Sequence, residues 1–230
     1  MASFPKNGSI ADYQKFVADV YGSSDGEKYS LFDLLSQQER FTLRAIKGIR
    51  RDDMEKMRVN LLIISSWLAS VANRLNIDLG EALWKRFPGC CSYCGGRPCA
   101  CKEKKIKKRL GKIKMFPGTH KPHTMSEAQK EMEIIYPAAS RNLALAGIHL
   151  IEEMGETGEA MRRYYSSHNK EAFAELEKEF ADYLSCIFDV ANSNGIDYAA
   201  ELSKSFADNC NLCHEAPCTC SITDIENFES

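Results

Sequence analysis

Two segments of the chain repeat one spacing of apolar positions. Met57, Leu61, Ile64, Leu68 and Val71 step by 4, 3, 4 and 3 residues, and Leu176, Phe180, Tyr183, Ile187 and Val190 repeat this 119 residues later. Such spacing lays one apolar stripe along a helix packed in a bundle. There is no run of alternating β-branched residues, so the pattern predicts an all-α fold. Helices are expected near 9–21, 30–48 and 53–75, then 125–136, 141–166 and 170–194, with short helices at 78–86 and 197–206. Thr124 with Glu127 has the form of a capping box. Asn76 and Gly195 follow the two long helices at equivalent positions, and both residue types tolerate the left-handed conformation that ends helices.

The repeat extends to the cysteines. Cys91, Cys94, Cys99 and Cys101 read C-x2-C-x4-C-x-C, and Cys210, Cys213, Cys218 and Cys220 repeat it, again offset by 119 residues. Upstream of the long helices the offset is 115, since Gln14 and Tyr21 match Gln129 and Tyr136. A four-residue insertion near Ser166–Ala174, expected as a longer loop, reconciles the two offsets. The chain reads as a tandem-duplicated helical bundle, with a first copy over 9–101, a linker over 102–123, a second copy over 124–220 and a tail over 221–230.

Composition changes this picture little, with 44% hydrophobic and 27% charged residues, as in ordinary soluble proteins. The longest apolar stretch, Leu61–Ala72, is broken by three serines, and it falls short of the roughly 20 residues needed to span a bilayer. Met1–Lys6 has no apolar signal core. No membrane association is expected, and a cytoplasmic location is. There, closely spaced cysteines bind metal more often than they form disulfides. Two structural Zn²⁺ sites are expected, with an iron–sulfur cluster as the alternative. Cys90 has Asn209 as its counterpart and reads as a spare thiol, and His214 is discounted as a ligand because Gly95 takes its place in the first copy.

Charge is uneven. Lys102–Lys114 carries net +7 within a chain of net −2. This run is either a solvated linker or a contact for phosphate or nucleic acid.

The copies differ most in their acids. Glu153 and Glu156, and Glu179 and Asp182, each stand three residues apart, which puts both members of a pair on one helix face. Four such carboxylates would repel one another unless they held a hard divalent cation such as Mg²⁺. The alternative is a solvated acidic face. The corresponding residues of the first copy are Gln38, Phe41, Asn60 and Ile63, and two of these are apolar.

The segment Arg141–Leu145 through Glu152-Glu153-x-Gly155-Glu156, then Glu179-x-x-Asp182 and Ala191-Asn192-x-x-Gly195-Ile196-Asp197, resembles the all-α nucleotide pyrophosphohydrolases of the MazG type. The resemblance is good over 125–206 and weak over 10–86. It implies Mg²⁺-dependent cleavage of a nucleoside triphosphate to monophosphate and pyrophosphate. It also implies that Glu153, Glu156, Glu179 and Asp182 are the metal ligands. The first copy would then be a degenerate half standing in for a second subunit, and a homodimer is compatible with it. Glu152 would orient or deprotonate water, or else be a surface acid. Asn192 would touch substrate or cap its helix. Trp67 would contact the base or be a core residue. The competing reading is a non-catalytic, zinc-bearing module that binds nucleotide or nucleic acid. The four-cysteine sites are additions to the family pattern.

Overall fold

The computed structural model describes all residues except Lys112, Arg141, Glu229 and Ser230. Lys112 of the basic run and Arg141 of the motif therefore lie outside the described residues. Nine α-helices occur among the described residues, with no strand: α1 (Ile10–Lys28), α2 (Leu31–Arg51), α3 (Met54–Leu75), α4 (Leu79–Arg86), α5 (Met125–Ile135), α6 (Leu143–Ser167), α7 (Lys170–Ser193), α8 (Tyr198–Ser205) and α9 (Ile222–Glu226). The fold is all-α. No helix among the described residues is long and apolar enough to cross a membrane.

Helix ends follow local chemistry. Ser9 with Asp12, Ser30 with Asp33, and Thr124 with Glu127 form reciprocal capping boxes. Asn76 sits in the left-handed region at φ 56°, and Gly195 at φ 66°. In both places the chain closes alike, with Ile77 N donating to Ala72 O and Ile196 N to Ala191 O, each at 2.9 Å.

Two expectations need correction. The helix expected to stop near residue 21 runs on to Lys28 through Gly22 and Gly26. Both glycines are exposed while Val20, Ser24 and Asp25 are buried, so packing outweighs a glycine cost of about 1 kcal/mol each. The four-residue insertion is not a longer loop. Two residues join α2 to α3, Asp52 and Asp53, and two join α6 to α7, His168 and Asn169. In each pair the first residue is left-handed and the side chain of the second caps the next helix. The insertion lengthens the helices themselves.

The chain forms two compact units, and they cut it differently from the sequence repeats. Met1–Asp78 with Asp197–Ser230 makes one unit, and Leu79–Ile196 makes the other. Each unit thus pairs three long helices with the short helix and cysteine segment of the opposite repeat. In the first, α3 packs on α1, α2 and α8; in the second, α7 packs on α4, α5 and α6. The stripe residues of α3 and α7 are all at most 1% exposed. One polar lock recurs. Gln14 Nε2 donates to Asn73 Oδ1 at 3.0 Å and to Ile77 O at 2.8 Å. Gln129 Nε2 donates to Asn192 Oδ1 at 2.8 Å and to Ile196 O at 2.7 Å.

Candidate active site and cysteine metal centres

The α6–α7 hairpin presents its acids from two antiparallel helices. Asn142 caps α6 by accepting from Leu145 N, and Asn169 caps α7 by accepting from Ala172 N. The short turn between them fixes the register. It brings carboxylate oxygens of Glu153, Glu179 and Asp182 within 4.8 Å of one another. Glu156 and Glu152 are exposed and stand outside this trio.

The trio is electrostatically unsatisfied. Glu153 Oε2 and Glu179 Oε2 are buried and lack a hydrogen-bond partner. Burial, then the charge of Asp182, pushes the Glu153 carboxyl up to about 8 and that of Glu179 up to about 7. Burial also raises Asp182, against the opposing pull of Arg86. Arg86, from α4, grips Asp182 with both arms of its guanidinium. Its Nε donates to Oδ1 at 2.6 Å and Nη2 reaches Oδ2. Three acids against one fixed cation leave negative charge in excess. Hard oxygen donors, two of them buried and orphaned, fit a divalent cation such as Mg²⁺.

This charge excess has a consequence for stability. Glu153 and Glu179 bind protons at higher pH in the folded chain than in the unfolded chain, so their ionisation opposes folding. Without a cation, stability should fall as pH rises from about 5 to about 8. Excess Mg²⁺ should flatten that slope by stabilising the ionised forms. Thermal melts across this range, with and without Mg²⁺, measure both effects. An identical slope in the two series would remove the trio as a cation site.

Two of the acids, Glu153 and Asp182, open onto a cavity of about 350 Å³. Its walls also carry Tyr93, Tyr136, His149 and the buried Asp189, together with three cysteines of the first cluster. The first cysteine segment therefore walls the same cavity as the carboxylates.

Each four-cysteine cluster has its sulfurs within 4.8 Å of one another and can hold a metal such as zinc. Cys91 and Cys101 are 3.7 Å apart, and Cys210 and Cys220 are 3.8 Å apart. A tetrahedral Zn²⁺ with bonds of about 2.3 Å spaces its thiolates by about 3.8 Å. Backbone N–H groups point at the sulfurs. Gly96 N and Ala100 N each donate to Cys94 Sγ at 3.4 Å, and Leu212 N donates to Cys210 Sγ at 3.4 Å. Burial opposes ionisation of Cys94, but those two N–H donors help to hold its thiol down at about 7. Cys99 N donates to Ile135 O at 2.8 Å, and Cys218 N donates to Val20 O at 2.7 Å. The first cluster is thus pinned to the end of α5 and the second to α1. His214 lies outside its cluster. It takes a left-handed turn at φ 59°, as Gly95 does at φ 65°. Elemental analysis should give about two tightly held zinc ions per chain, retained while Mg²⁺ exchanges. One zinc or none, with all ten thiols titrating freely, would defeat this, and a brown protein would replace zinc by an iron–sulfur cluster.

The first unit has the corresponding cavity, but it is much smaller. Only about 60 Å³ is left among Asp25, Phe41, Ile63 and Trp67. The tail helps to line it. Arg40 and Arg44 donate to the carbonyls of Ile225, Glu226 and Phe228, and the Phe228 ring lies 6.4 Å from that of Phe41. Gln38, at the Glu153 position, is fully buried with neither amide atom bonded. Trp67 is 8% exposed, stacked on Phe41 and edge-on to Tyr29. Its surroundings are those of a core residue. Asn192 is engaged by Gln129, so its side chain locks α5 to α7.

No protein-family model matches this chain, and no curated protein or solved structure matches it either. The site stands on its own geometry. Arg86 is the residue that sequence reasoning missed. One signal was present, since its counterpart at the 119 offset is Ser205.

Proposed function

We propose that the protein is a Mg²⁺-dependent nucleotide pyrophosphohydrolase that cleaves a nucleoside triphosphate to monophosphate and pyrophosphate. The observation that carries this reading is the convergence of Glu153, Glu179 and Asp182, with two buried oxygens left unbonded beside an open cavity. Mg²⁺ held there supplies charge neutralisation for the phosphates and a polarised water. The protein's own residues supply placement. Arg86 fixes the rotamer of Asp182, and the α6–α7 turn fixes the separation of the glutamates. The cavity of about 350 Å³ is within the range of small-molecule sites and carries aromatic walls for a nucleoside. Glu156 and Glu152 stand at the exposed rim of α6, where Glu152 can orient water.

The MazG-type resemblance and a duplicated ancestry belong to the same proposal. The repeated glutamine–asparagine lock and the matching cysteine segments support them. The first unit would then be a copy that lost its acids and filled most of its cavity. The test is a Mg²⁺-dependent screen of common and damaged nucleoside triphosphates that scores pyrophosphate against phosphate. Pyrophosphate release from at least one of them supports the assignment. Release of phosphate alone, or of neither, would overturn it.

A further inference from the structure

A second cavity, of about 510 Å³, lies in the same unit as the carboxylate trio. Lys85 and Arg86 of α4, Lys178 of α7 and Arg109 of the basic segment line it, with Glu177 the only acid among the described residues of its wall. Arg86 belongs to both places, since it lines this cavity and grips Asp182. Lys178 directly precedes Glu179 in sequence. The cavity therefore begins where the carboxylates end, and its charge is of opposite sign.

Arg109 is exposed, but it is positioned. Its guanidinium lies 4.7 Å from the centre of the Tyr93 ring, and Leu110 N donates to Tyr93 O at 2.9 Å. Tyr93 sits within the first cysteine segment. The segment thus anchors one end of the basic run and aims an arginine from it.

The counterpart positions of the other unit make the case sharper. At the 119 offset Arg86, Tyr93 and Lys178 correspond to Ser205, Leu212 and Val59, while Arg109 lies in the linker outside the repeat. Arg86 and Lys178 have no basic counterpart in the unit that also lost its acids, whereas Lys85 keeps one in Lys204. Yet Arg86 comes from the first repeat, and the acids from the second. The first repeat has thus kept Arg86 and the second has kept the acids, so both serve the Leu79–Ile196 unit, and their counterparts in the other unit are gone. Arg86 in particular follows the acids, which a cation merely exposed to solvent would have no reason to do.

We propose that this cavity is an anion site for the polyphosphate chain of the substrate. Lys85, Arg109 and Lys178 hold phosphoryl oxygens, and Arg86 joins that chain to the carboxylate site. Lys85 and Arg109 stand beside Arg86, paired with Asp182, and Lys178, whose Nζ donates to Glu175 at 2.5 Å; an anion of high charge density competes for such cations through charge-assisted hydrogen bonds. The assignment rests on the proposed hydrolase reading for the identity of the ligand, but its test can be separated from it.

Inorganic tripolyphosphate is titrated calorimetrically into the full-length protein with Mg²⁺ present. Arg109→Gln and Lys178→Gln should each weaken binding about tenfold, the scale of one lost charge-assisted contact. Lys104→Gln/Lys105→Gln, in the same basic run but outside the cavity wall, should change it less than about twofold. In turnover, Arg109→Gln should raise KM about tenfold with a much smaller change in kcat, and it should leave the pH profile in place. Equal weakening by the Lys104/Lys105 variant would show a diffuse field and overturn the site. Wild-type affinity in both cavity variants would overturn it too. Arg109-dependent tripolyphosphate binding without hydrolysis of any nucleotide would remove the hydrolase reading and keep the anion site. Hydrolysis with a KM indifferent to Arg109 and Lys178 would do the reverse.

Discussion

Glu153→Gln and Asp182→Asn should each reduce turnover by at least about 10³-fold, because groups that merely support a metal's ligands already cost 10–100-fold when lost. Their effects on stability should have opposite signs, and this separates loss of chemistry from loss of fold. Glu153 is a strained carboxylate, crowded by Asp182 and with one buried oxygen unbonded. Its neutral amide removes that repulsion, so Glu153→Gln should raise the metal-free melting temperature. Asp182 is the partner of Arg86, whose side chain is 8% exposed. Asp182→Asn leaves that guanidinium facing a neutral group, and breaking a buried pair costs about 3–5 kcal/mol. It should therefore melt several degrees lower. Asn60→Ala, at the counterpart of Glu179 in the first unit, should leave turnover per folded molecule within about threefold. Wild-type rates in a Glu153→Gln/Asp182→Asn double variant would end the assignment. Equal losses of turnover from Asn60→Ala would end it too.

What the sequence showed was whatever is local along the chain. The helical stripes, the capping boxes and the left-handed ends at Asn76 and Gly195 depend on residues within a few positions of one another, and the helices lie within a few residues of the spans read from them. The C-x2-C-x4-C-x-C spacing carries its own geometry in the same way. The pairing of Glu153 with Glu179 and Asp182 needed only two adjacent helices and a short turn. Three things were not legible. Helix α1 passes through two glycines because tertiary burial pays for them. Helix α9 lay in a segment read only as tail, although Ser221 and Asp224 box its start. Arg86 reaches Asp182 only because α4 packs on α7, 96 residues away in sequence. Such a contact leaves no periodic trace. The substitution of Arg86 by serine at the equivalent position was its only mark.

The exchange of short helices between the repeats leads to an all-or-none result. A fragment spanning 79–196 should fold, and one spanning 124–230 should not. The second follows the sequence repeat, but it lacks α4 and the first cysteine segment. Leu79, Ala82, Leu83 and Phe87 are each at most 4% exposed, and α7 is the helix they pack against. Leaving their partners uncovered forfeits on the order of 5 kcal/mol at about 1.5–3 kcal/mol per large side chain. That is comparable to the whole stability of a typical domain, about 5–15 kcal/mol. The same fragment leaves Asp182 without Arg86 and carries α8 without the α3 surface that Tyr198 packs on. The 79–196 fragment keeps the α4–α7 packing, the Arg86–Asp182 pair, the carboxylate trio and one cysteine cluster, and it carries no part of α8. It should be helical, melt cooperatively and bind one zinc, whereas 124–230 should aggregate or show little fixed tertiary structure. Circular dichroism melts and metal analysis of the two fragments decide the matter. A cooperative 124–230 beside an unfolded 79–196 would mean that the sequence repeats themselves, and not the exchanged units, are what folds.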